Sequence, residues 1–154
     1  MVGHPEEKLA ELGLKLPEVA KPAGAYVPAL RNGSLVYTSG QLPFVDGVLP
    51  ATGKVGAEVA PDRAKELAGL CALNALAAVK AEVGDLAKVK RVVKVVAFVA
   101  SDPSFTGQPG VANGASELLG TVFGDAGVHV RSAVGVAVLP LDTPVEVEII
   151  VEVE

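Results

Sequence analysis

Two charged side chains near the C-terminus, Arg131 and Glu146, are the best placed to do chemistry. They lie in the stretch HVRSAVGVAVLPLDTPVEVEIIVEVE, residues 129–154. Small and β-branched residues follow Arg131, stop at Leu139-Pro140-Leu141-Asp142-Thr143-Pro144, and resume as valine or isoleucine alternating with glutamate. This pattern predicts two strands paired as a hairpin through a short Pro-containing loop. Side chains alternate along a strand, so His129, Arg131, Ala133 and Gly135 share one face. The small residues after Arg131 would leave a hollow with a guanidinium at its rim, and that planar fork suits a carboxylate. On the return strand Val145, Val147, Ile149, Val151 and Val153 oppose Glu146, Glu148, Ile150, Glu152 and Glu154. The valine faces are expected to meet helices and the charged faces to meet water. A hairpin centred near Asp142 sets Arg131 opposite a residue close to Glu152, far from Glu146. A site using both would then need a second subunit. Ala137, Leu139 and Ile150 on faces otherwise open to water point the same way.

Other chemistries find little support. His4 and His129 are the only histidines, and the single cysteine, Cys71, forms no cluster, so a metal centre is not implied. Ser39 and Ser132 sit in no nucleophile elbow. Gly107-Gln108-Pro109-Gly110 lacks the lysine of a phosphate-binding loop. Cys71 and Asn74 both fall on a helical apolar stripe. Cys71 reads as a small buried hydrophobe, and Asn74 as a hydrogen-bond partner of a neighbouring loop.

The elements that must position Arg131 and Glu146 follow from periodicity. Residues 4–15 read as an amphipathic helix with Leu9, Leu12 and Leu16 on its stripe, ended by Pro17. Residues 17–24 form an extended linker. Two strands, 26–30 and 34–39, flank Arg31-Asn32-Gly33, a strong hairpin signal. Residues 44–60 read as a surface loop. Pro61 and Asp62 open a helix that runs to Val83 and stops at Gly84. A strand over 89–99, a loop over 100–110 and a helix over 111–123 precede the terminal pair. The order β-β-α-β-α-β-β defines an α+β fold, a mixed sheet with two helices packed on one face.

With 154 residues, half of them apolar, the chain suits a single domain over 1–154, of which 1–20 form an N-terminal helical extension. No apolar run has transmembrane length and the N-terminus lacks a secretory pattern, so a cytoplasmic protein without a membrane partner is expected. Acidic residues number 18 and basic 13, and there are two tyrosines and four phenylalanines. The only basic cluster is Lys88, Lys90, Arg91 and Lys94. Such a surface argues against a nucleic-acid partner.

The segment from Arg131 to Glu148, RSAVGVAVLPLDTPVEVE, resembles the signature of the RidA/YjgF family of reactive intermediate/imine deaminases. Gly24-Ala25-Tyr26-Val27 and Tyr37-Thr38-Ser39-Gly40-Gln41-Leu42-Pro43 resemble two further family motifs, in matching order. The likeness spans about residues 20 to 153 and is greatest to the longer branch of the family. It implies a chorismate-mutase-like fold assembled as a homotrimer, with the sheets forming a central β-barrel and ligand clefts between subunits. It also implies cofactor-free hydrolysis of 2-imino acids to 2-keto acids and ammonia.

By this resemblance Arg131 would grip the substrate carboxylate and Glu146 would activate water. Tyr26 and Ser39 would line the cleft, and Asn113 is matched to a family asparagine across a one-residue gap. Ala133 stands where the family often has cysteine, and His129 is within reach of the same face. Two other functions fit the same family: a non-catalytic trimer that binds small carboxylates, and an endoribonuclease or translation inhibitor. The acidic chain disfavours the latter.

Overall fold

The computed structural model describes residues 3–154. Helix α1 (Pro5–Glu11) is followed by strands β1 (Ala29–Asn32) and β2 (Leu35–Thr38), helix α2 (Pro61–Val83), strand β3 (Val89–Ala100), helix α3 (Gln108–Phe123), and strands β4 (Val130–Val136) and β5 (Val145–Val153). The strands form one mixed sheet in the order β1-β2-β5-β3-β4. Helices α2 and α3 pack together and cover one face. No helix among the described residues is long and apolar enough to cross a membrane.

The terminal strands are not a hairpin. Strand β3 lies between them, parallel to β4 and antiparallel to β5. Parallel strands need a crossover, and α3 supplies it between β3 and β4. The chain then passes β3 by way of residues 137–144, eight residues with a reach of about 26 Å against about 10 Å for two strand spacings. The passage is tied to the end of β3: Ser101 N–H donates to Val136 O at 3.0 Å, and Ala100 N–H to Pro144 O at 2.9 Å. Within it, Leu141 and Asp142 adopt left-handed backbone, φ 58° and 57°.

Strand β5 behaves as its alternation implies. Val145, Val147, Ile149, Val151 and Val153 are buried against the helices. Strand β4 does the reverse of the expectation. Its register, Val95↔Arg131, turns Arg131 toward α3 and leaves Val130 65% exposed on the open sheet face, with Val134 beside it 43% exposed. The helix layer ends over β4, so its helix-side face lies at the margin of α3, where a long polar side chain reaches water and a valine would not be covered.

Helix α2 is buried along most of one side, with Leu67, Cys71, Leu76 and Val79 inaccessible. Burial raises the Cys71 thiol well above its ordinary range, with the negative charge of Glu146 adding to it, as suits a hydrophobe rather than a nucleophile. Asn74 Nδ2 donates to Leu42 O (2.9 Å) and Phe44 O (3.2 Å), pinning the loop after β2.

Other boundaries shift. Helix α1 ends earlier than expected: Leu12 closes it, Gly13 leaves at φ 74°, and Leu12 is exposed instead of lying on the buried stripe. The β1–β2 turn centres on Gly33-Ser34, with Asn32 paired to Leu35, and Tyr26 precedes the strand. The 44–60 segment is not wholly surface, because Val55 and Val59 are buried and Val55 bridges to Ser101. Leu139 is buried within the chain rather than left for an oligomer.

Helices α2 and α3 approach closely where Gly114 meets Lys65 O; a Cβ on Gly114 would overlap that carbonyl. Backbone cannot yield as a flexible side chain does. Gly114→Ala should therefore cost on the order of 2 kcal/mol or more, seen as a lower midpoint in urea unfolding with an unchanged slope.

Candidate active site

Pro109, Asn113 and Ser116 recur at helical spacing along the side of α3 that faces β4. Together they hold Arg131. Its Nη1 donates to Asn113 Oδ1 at 2.7 Å and to Ser116 Oγ at 3.1 Å, and its Nη2 donates to Pro109 O at 3.3 Å. A guanidinium has five N–H donors. Among the described residues three are engaged, leaving Nε–H and one on Nη2, the number a bidentate carboxylate takes. The hollow expected above Ala133 and Gly135 is partly filled. A Cβ on Gly135 would stand 2.7 Å from Gln108 Nε2, so the first residue of α3 occupies that space.

His129 joins the same cluster, with Nε2 2.8 Å from Ser116 Oγ and Nδ1 2.6 Å from Gly127 O. Ser116 and Pro109 were not among the residues expected at the site. The available signal was the 109, 113, 116 spacing, opposite a buried face of Val111, Ala112, Ala115 and Leu119.

Glu146 lies elsewhere. It pairs across the ladder with Phe98, on the sheet face opposite Arg131. Strand spacing and rise place the two Cα atoms about 14 Å apart. One chain therefore does not bring them together, and the reason is the intervening β3 and the face, rather than a hairpin register. Burial raises the Glu146 carboxyl pKa, and the like charge of Glu148 raises it further. The side chain packs directly over Gly40, where a Cβ would overlap its carboxylate. Gly40 belongs to the segment Tyr37–Pro43, so that segment's glycine makes room for Glu146.

Tyr26 and Ser39 accompany the Glu146 end of the sheet. Ser39 Oγ donates to Val27 O at 2.6 Å, and Tyr26 OH accepts from Ala23 N at 3.2 Å. Both line a shallow cavity of about 340 Å3 with Leu30, Tyr37 and Thr38. The residues singled out in the sequence thus fall into two groups: Arg131 and Asn113 at the β4 edge, and Tyr26, Ser39 and Glu146 toward the β1–β2 side. No group of three or more His, Cys, Asp or Glu among the described residues could hold a metal ion.

A mixed sheet with one helical layer and an open second face defines an α+β protein whose candidate site residues are divided along the sheet. The profile of the "YjgF/chorismate mutase-like, putative endoribonuclease" family matches residues 6–153, and the chain belongs to that family. It is 46% identical to Protein TCP17 of Trypanosoma cruzi over 97% of this chain and 94% of that protein. Among solved structures, it is similar to the protein Atu1372 of Agrobacterium tumefaciens (48% identity, 97% and 92% of the two chains, TM-score 0.91). It is also similar to E. coli TdcF with bound serine (26% identity, 90% and 94%, TM-score 0.59).

Substituting Gly40 by alanine should push the Glu146 carboxylate off the sheet and into water. Its raised pKa should then fall toward the ordinary carboxylate range, measurable by carbon-13 NMR titration of the Glu146 carboxyl. An unmoved titration would show that burial by the Gly40 segment is not the cause of the shift.

Proposed function

We propose that the chain hydrolyses small 2-imino acids to 2-keto acids and ammonia, in clefts between the subunits of a homotrimer. The observation behind this reading is the guanidinium of Arg131, held by three acceptors on α3 with two donors still free. A substrate carboxylate would take those two donors as a charge-assisted bidentate pair. Serine, held by the related TdcF, is itself a small carboxylate.

Assembly supplies the other half of the cleft. The open sheet face carries Leu30, Tyr37, Val130 and Val134, all exposed in the single chain, and covering them with copies of the same face would remove a sizeable apolar surface from water. Arg131 and Asn113 of one subunit would then face Tyr26, Ser39 and Glu146 of a neighbour.

The chemistry asks for little. The imine carbon is already electrophilic, so positioning and one general base suffice. Water adds to the carbon of the protonated imine as Glu146 takes one of its protons, giving a neutral carbinolamine. Glu146 returns that proton to the amine nitrogen, the C–N bond breaks as the C=O bond forms, and the hydroxyl proton passes to Glu146 and on to the departing ammonia, which leaves as ammonium. A carboxyl whose pKa is raised by burial takes a proton more readily than an ordinary carboxylate and can return it. Tyr26 and Ser39 would orient the water and substrate.

The direct test mixes the protein with freshly generated 2-iminopropanoate and follows its decay. Decay should accelerate in proportion to protein, and an unchanged rate at high protein concentration sinks the deaminase reading. Glu146→Gln should lower kcat at least about 100-fold while a stable 2-keto acid still binds. Arg131→Ala should weaken that binding by a similar factor. Retained binding with no turnover even in the native protein would favour a carboxylate-binding role instead. As pH falls through the raised Glu146 pKa the base is protonated, so the acid limb of kcat should lie above the ordinary carboxylate range. Light scattering should give a particle three times the 15.6 kDa chain.

A further inference from the structure

The hydrogen-bond directions around Ser116 run one way. A carbonyl only accepts, so His129 Nδ1 carries the hydrogen directed at Gly127 O, 2.6 Å away. In the neutral ring Nε2 is then a bare acceptor. The Ser116 hydroxyl, 2.8 Å from Nε2, gives its single hydrogen to it. The Ser116 lone pairs are left for Arg131 Nη1, which donates at 3.1 Å. The chain Arg131 → Ser116 → His129 → Gly127 O satisfies every member.

The far end of this chain is rigid. A Cβ on Gly127 would overlap Leu119 O, so only glycine lets the 3-10 turn Gly124–Gly127 sit on α3 with its carbonyl toward the imidazole. Gly127 is itself buried.

We propose that His129, acting through the Ser116 hydroxyl, is a positioning residue for Arg131, and that protonation of the imidazole loosens the grip of Arg131 on a carboxylate. Protonated Nε2 becomes a donor. Ser116 would then lose the acceptor of its own hydrogen and accept from two cations at once, one on each lone pair, which brings like charges together on one oxygen and weakens its bond to Arg131. Histidine is the side chain whose charge changes most readily between about pH 5 and 8.

Other charges on the surrounding elements have different partners or outlooks. Glu117 on α3 pairs with Lys65 at 3.0 Å. Arg91 on β3 donates to Val128 O at 3.3 Å. Asp125 on the 3-10 turn is exposed, and Lys94 pairs with Val130 in register, on the opposite sheet face. None of them shares a hydrogen bond with the two ring nitrogens, which are taken by Ser116 and Gly127.

The proposal rests on Arg131 as the carboxylate grip, and two measurements separate it from that reading. The first is calorimetric titration with pyruvate. Between pH 8 and pH 5.5 the native Kd should rise about tenfold, the cost of one charge-supported hydrogen bond. His129→Gln, which cannot titrate, should show a Kd flat over that range. Ser116→Ala should bind several-fold more weakly at pH 8 and be equally flat. The kcat of turnover, governed by Glu146, should follow its own limb in all three proteins, so the His129 effect belongs to KM alone. The second is nitrogen-15 NMR of the Arg131 Nε together with the His129 ring, assigned by the loss of its signals in His129→Gln. Arg131 Nε should shift with the His129 titration in the native protein and lose that shift in Ser116→Ala.

A pH dependence of Kd that survives His129→Gln overturns the proposal. So does an Arg131 signal indifferent to the His129 titration. If pyruvate does not bind at pH 8, the carboxylate reading of Arg131 fails, and the NMR result still decides the coupling.

Discussion

Strand β3 is bonded along most of its length to β5 on one side and β4 on the other, and the placement of Arg131 and Glu146 depends on that. The β3–α3–β4 crossover puts α3 directly beside the side chain of Arg131. It also makes β4 an edge strand, so the guanidinium stands where helix, strand and solvent meet. On the far side of β3, the register with β5 sets Glu146 beside Phe98 on the uncovered face. The same pairing that places each group of candidate residues keeps the two groups apart within one chain.

The two halves are built by different means. Arg131 is oriented by a stripe of acceptors on one helix, a side-chain carbonyl, a hydroxyl and a main-chain carbonyl, each within hydrogen-bond reach. Long flexible side chains lose much rotamer freedom when fixed, and prior fixing by the protein lowers that cost on binding. Glu146 is shaped by exclusion. It sits over a glycine, beside an aromatic ring and near a second carboxylate, and its proton affinity rises through burial and the like charge of Glu148. Closure of the open sheet face by other subunits would deepen that burial.

Much of the architecture was legible in the pattern of residues. The alternation of β5, the Pro61 start of α2 and the Gly84 that ends it correspond closely to observed elements, because each depends on neighbours within a few positions. Asn74 on an apolar stripe bonds a neighbouring loop, as its sequence context implies, since a buried amide must find a partner. The pairing of β4 was not legible. A Pro-containing connection of eight residues serves a hairpin and a passage over an intervening strand equally well. Only the helix between β3 and β4, with its requirement for a parallel partner, decides between them.

The sequence by itself determined which side chains had chemical potential and which elements bore them: an arginine among small residues, a glutamate in a valine alternation, and an α+β order of strands and helices. Local periodicity and turn chemistry carry that information. Tertiary structure decided the faces and the company. It turned Arg131 toward α3 and exposed the β4 valines, gave the arginine Asn113, Ser116 and indirectly His129, and sent Glu146 to the opposite side. Those outcomes follow from one strand order, a long-range property that no window of neighbouring residues encodes.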